Sequence, residues 1–74
     1  MNAYEIALIY TDLVNAENEI PDEEFHAKEH INILRTKYHN LLMEQMSVED
    51  IYFSDRFDAS KKAFEMVRKG WELH

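Results

Sequence analysis

At 74 residues, with fifteen acidic and eight basic side chains and a net charge of −7, the chain is sized for a single helical domain spanning residues 1–74. A domain this small buries only about 60% of the surface its unfolded form exposes, so its core is thin. There is no cysteine, which excludes a disulfide framework and a thiolate zinc site and points to a reducing, cytoplasmic setting. An apolar share of 46% with nine aromatics is too high for a disordered tail. The apolar run near Met1 has no basic residue before it and no apolar segment reaches about 18 residues, so neither a signal peptide nor a membrane span is expected.

The first predicted helix covers residues 3–16, capped by Asn2. Ala3, Ile6, Ala7, Tyr10, Leu13 and Val14 share its core face. Tyr4, Leu8, Thr11 and Asn15 fall on the opposite face; the apolar pair Tyr4 and Leu8, edged by Glu5 and Asp12 and joined by Thr11, is the expected contact with a partner protein. Residues 17–20 then form a short connection, which makes the first two helices antiparallel neighbours.

The second and longest helix is predicted over residues 21–46, about 40 Å of rod. Pro21 suits a first helical position, where its missing N–H costs nothing, and Asp22, Glu23 and Glu24 suit the positive end of the helix dipole. Ala27, Ile31, Leu34, Tyr38, Leu41, Leu42 and Gln45 form its expected apolar stripe.

Ser47 with Asp50 three residues on has the form of a capping box, and predicts a short extra helical turn. A break near residues 54–55 then precedes a third helix over residues 55–69, with Phe53, Phe57, Ser60, Phe64, Val67 and Trp71 as its core stripe. Gly70 is placed for the left-handed residue after the helix, with Trp71 folding back beyond it. The expected fold is therefore all-α: a small antiparallel three-helix bundle in up-down-up order with a short extra turn.

Charge is distributed unevenly. Glu5, Asp12, Glu17, Glu19, Asp22, Glu23 and Glu24 occupy the first 24 residues with no Lys or Arg among them, while the remaining residues hold eight acids and eight bases. A one-signed surface of this kind repels phosphate backbones and attracts basic partners, and salt weakens the attraction. Direct nucleic-acid binding is therefore not expected; Arg56, Lys61, Lys62, Arg68 and Lys69 also spread around the third helix instead of lining one face.

Three histidines lie in the long helix. Glu23, His26 and His30, at i, i+3 and i+7, would share one face and form a two-histidine, one-carboxylate metal set if a fourth ligand came from elsewhere. His26 to His30 also matches the H-x-x-E-H string of inverzincin metallopeptidases over five residues; a chain of this length lacks their scaffold and further carboxylate ligand, so the string is set aside. One glycine cannot build a phosphate-cradling loop, and the three serines are explained as caps or a stripe position. No enzyme activity and no cofactor are expected.

The leading functional expectation is a small acidic interaction module, a regulator or inhibitor of a larger protein with a basic surface, which is similar in style to the short helical inhibitors encoded by phages and mobile elements. Tyr4, Leu8, Thr11, Asp12, Glu17, Glu19, Glu23 and Glu24 are its expected contact residues. Two alternatives stand beside it: a metal- or ligand-binding oligomer using Glu23, His26 and His30, and a subunit completing a larger helical assembly. The thin core and the apolar outer face of the first helix also make a homodimer an expected state beside the monomer.

Overall fold

A computed structural model describes residues 1–70 and contains three helices: α1 (Ala3–Glu19), α2 (Phe25–Val48) and α3 (Arg56–Lys69). They pack as an all-α three-helix bundle, with no strand among the described residues. No helix among them is long and apolar enough to cross a membrane.

α1 begins where the sequence predicts. The Asn2 side chain accepts the Glu5 N–H at 2.8 Å while Glu5 accepts the Asn2 N–H at 2.9 Å, a reciprocal cap that satisfies two otherwise orphaned donors. A third donor, the Ala3 N–H, reaches Glu49 Oε2 at 2.8 Å and ties the start of α1 to the end of α2. At its other end α1 runs one turn further than expected, to Glu19. It stops at Ile20, whose extended φ −78°, ψ 127° is what a following proline imposes.

Pro21 does not open α2. Residues 21–24 form a turn closed by Glu24 N–H donating to the Pro21 carbonyl at 3.0 Å, and the helix starts only at Phe25. Asp22, Glu23 and Glu24 thus precede the first turn instead of occupying it, and Glu24 stands at the cap position without a side-chain cap bond. Asp22 instead pairs with Lys28 at 2.7 Å.

Ser47 closes α2 instead of opening a new turn, which overturns the capping-box expectation. Its hydroxyl donates to the Met43 carbonyl at 3.2 Å. Asp50 takes the left-handed conformation at φ 59°, with Asp50 N–H donating to Ser47 O and Ile51 N–H to Met46 O at 2.8 Å. This pair of bonds is a Schellman ending, so the acid three residues after Ser47 terminates one helix and does not cap another. No extra helical turn follows. Residues 49–55 run back along α2, and α3 begins beside the middle of it: the Arg56 carbonyl accepts from His39 and the Arg56 guanidinium donates to Asn40. That level is nine residues, or about 13 Å, short of the α2 terminus.

The start and finish of α3 match expectation. The Asp55 carboxylate caps its first turn by accepting the Asp58 N–H at 2.8 Å, and Gly70 ends it at φ 74°. Its orientation about its own axis does not match. The side chains it buries are Ala59, Ala63 and Met66, while Phe57 is 81% exposed and Phe64 stands at the surface. The core face lies roughly a third of a turn from the predicted aromatic stripe. The expected fold-back of Trp71 lies outside the described residues.

α1 is the organising element. It packs extensively on both other helices, which touch each other little. The core is Ala3, Ile6, Ala7 and Tyr10 from α1, Leu42 and Met46 from α2, and Ala59, Ala63 and Met66 from α3. Four of the nine are alanine, which lets backbones approach closely and explains how α3 docks on α1 by its small face. On α2 the buried set is His39, Leu42 and Met46, centred about a quarter turn from the predicted stripe; of that stripe Leu42 is fully buried and Tyr38 packs on the core, while Ala27 and Leu41, expected in the core, are exposed.

Candidate functional site

Two regions carry the candidate residues: the acidic end where α1 meets α2, and a cleft where all three helices converge.

At the acidic end the predicted residues separate. Glu5 is used in the α1 cap, and Asp22 faces Lys28, which holds its carboxyl below the usual range chiefly through the hydrogen bond and raises the lysine in turn. Glu17 is half-buried, accepting from Asn32 Nδ2 at 3.1 Å and standing 2.9 Å from Arg35 Nε. The Arg35 Nε atom is buried and makes no hydrogen bond, so this contact is an ion pair whose geometry falls short of one. Asp12, Glu19, Glu23 and Glu24 are exposed and have no ion pair or hydrogen-bonded side-chain partner among the described residues.

The predicted outer face of α1 survives in part. Leu8 is 37% exposed and Asp12 lies one turn beyond it. Thr11 does not belong there: it is 3% exposed, with its hydroxyl donating to the Leu8 carbonyl at 3.2 Å. Tyr4 is half-buried against the core. The core face of α1 is therefore wider than the sequence pattern implies, extending from Ile6 round to Thr11. Phe25 and Ile33, exposed at 63% and 60%, supply apolar surface on the first turns of α2 instead.

The predicted metal set is not assembled. Glu23 sits in the turn ahead of α2, off the helical register that would align it with His26 and His30, and all three are exposed. The His26 ring packs at 4.7 Å on Phe25. Among the described residues no three His, Cys, Asp or Glu side chains converge as a metal site requires.

The cleft went unread in the sequence. Tyr10 from α1, Arg35, Thr36 and His39 from α2, and Arg56, Phe57 and Ser60 from α3 line about 370 Å³. His39 is 7% exposed, its Nε2 is 3.0 Å from the Arg56 carbonyl, and its ring lies 5.3 Å from Tyr10. Since a carbonyl only accepts, Nε2 carries the proton. Burial, with Arg56 and Arg35 both repelling added positive charge, pushes the imidazole below its ordinary range and outweighs the carbonyl bond. Tyr10 Oη and Ser60 Oγ share a 2.7 Å hydrogen bond across the α1–α3 contact. A signal for this site did exist: Arg35, His39, Leu42 and Met46 recur at helical spacing, but one histidine in that row does not reveal that the row is the buried one.

Fold and surface together define a small acidic all-α bundle with a cationic cleft at its waist. Comparison with protein-family models, curated proteins and solved structures finds no match to this chain.

Proposed function

We propose that the chain is a protein-interaction module, a regulator or inhibitor that docks on a larger, basic protein surface by the end of the rod where α1 meets α2. The observation that supports this is the set of exposed carboxylates on Asp12, Glu19, Glu23 and Glu24, which form no ion pair among the described residues, together with the exposed apolar Leu8 on α1 and Phe25 and Ile33 on α2. Uncompensated charge steers a basic partner, and neighbouring apolar surface supplies the area that charge alone does not. If the partner is a nucleic-acid-binding protein, the carboxylates occupy the place of phosphates. A cytoplasmic setting is consistent with a chain that has no cysteine.

The test compares capture from nuclease-treated lysate by the native chain and by Glu19→Lys/Glu23→Lys/Glu24→Lys, eluted across a salt gradient. A partner held by the native chain, released by salt and lost in the variant supports the reading. A partner held equally by both overturns it.

A homodimer is the second reading, and the exposed Phe57, Val48 and Tyr52 favour it. A dimer's melting temperature rises with protein concentration by mass action, whereas a monomer's is constant.

A further inference from the structure

We propose that the cleft between Arg35, His39, Arg56 and Phe57 binds a small molecule carrying a phosphate monoester next to a planar ring. The argument starts from which charges the fold gathers. In a chain of net charge −7 with three arginines, two of them line one cleft, and no carboxylate lines it among the described residues. Arg56 uses one of its five donors on Asn40 Oδ1 at 3.0 Å. Arg35 is ion-paired with Glu17, which does not line the cleft, its Nε standing 2.9 Å from Glu17 Oε1. Both guanidiniums are thus held in place by side chains outside the cleft, with terminal nitrogens left over for a ligand. Orientation of this kind lowers the ordering cost that long cationic side chains otherwise incur on binding.

The remaining wall suits the same ligand. Thr36 offers a hydroxyl, and the Tyr10–Ser60 pair holds one hydrogen bond between two O–H groups, so one of the two protons is left to point at an acceptor. Two guanidiniums with two hydroxyl donors match the several acceptor oxygens of a phosphate dianion better than the two of a carboxylate. Phe57, exposed on the rim, gives a face on which a planar ring can stack. The volume of about 370 Å³ lies within the range of roughly 300–1,000 Å³ typical of small-molecule sites. His39 completes the cleft, and the charged or titratable groups near it are Tyr10 from α1, Arg35 with Glu17 behind it, and Arg56 from α3. A bound dianion would favour the protonated imidazole, so ligand and proton reinforce each other.

The experiment is titration of the ¹⁵N-labelled chain with inorganic phosphate, phenyl phosphate and benzoate at fixed ionic strength, with chloride as the reference. The proposal expects saturable shifts confined to the cleft amides, phenyl phosphate binding about tenfold more tightly than phosphate through Phe57, and an upward move of the His39 titration in the bound form. Arg56→Gln should weaken phenyl phosphate about tenfold or more, as loss of a charge-assisted hydrogen bond does. Thr36→Val, at an exposed position, tests the same cleft should Arg56→Gln fail to fold, and Phe57→Ala should remove the phenyl advantage while leaving inorganic phosphate unchanged. Shifts equal to those of chloride, shifts scattered over the lysines, or benzoate binding more tightly than phenyl phosphate would overturn the proposal.

Discussion

His39 illustrates how one side chain links packing to pH. The ring is nearly buried, donates to the Arg56 carbonyl, and is pushed below the ordinary histidine value of 6.5 by desolvation first and by the two arginines after it. The folded protein therefore takes up a proton less readily than the unfolded chain. The stability held by neutral His39 is complete above pH 6.5 and is lost as pH falls from there through the lower folded value. Unfolding midpoints in denaturant should accordingly decline between about pH 7 and pH 5 in the native protein. His39→Gln can keep a donor to the same carbonyl without titrating, so its decline over that window should be smaller. An equal decline in both proteins would locate the acid sensitivity elsewhere.

For single elements the informative case is α3, which sets Ala59 and Ala63 inward and Phe57 outward. Ala59 and Ala63 are fully buried, whereas Phe57 projects from the opposite flank. Enlarging a packed alanine forces strain, and removing an exposed ring far from the core removes little. Ala63→Leu should therefore destabilise by about 1–3 kcal/mol, while Phe57→Ala should stay within about 0.5 kcal/mol, both read from chemical denaturation. The order would reverse if α3 packed through its aromatic stripe. A similar reading applies to the end of α2, where Asp50 at φ 59° and the Schellman bonds stop the helix in time for residues 49–55 to bring α3 back to the level of His39. The cleft exists because that return places Arg56 against α2.

Taken as a whole, the molecule is a rod 40 × 21 × 20 Å with a core of nine residues gathered where α3 covers α1 and α2. The N-terminal turns of α2 extend past this core with Phe25 and Ile33 exposed, beside the acidic turn of residues 21–24. A core so small leaves little redundancy. Leu42→Ala, at a fully buried position, should cost about 2–5 kcal/mol, a large share of the roughly 4–11 kcal/mol that a domain of this length holds. Circular dichroism should show that variant largely unfolded at temperatures the native chain withstands. A melting temperature lowered by only a degree or two would mean that the core extends beyond these nine side chains.

What could be read from the residues alone was local. Helix count, the Asn2 cap, the Asp55 start of α3 and the Gly70 stop all follow from interactions within about four residues, and the structure keeps each of them. The core face of α1 was legible too, because Ala3, Ile6, Ala7 and Tyr10 recur at helical spacing. Which face α2 and α3 bury was not. Phenylalanine scores as core on any hydrophobicity scale and alanine barely does, yet close contact between backbones selects the alanines once a second helix is present. The burial of His39 against Arg56 also depends on tertiary packing, and so does the cleft: Tyr10, Arg35 and Arg56 meet only through the path of residues 49–55 and the docking of α3 on α1, contacts between groups far apart in the chain that no local pattern encodes.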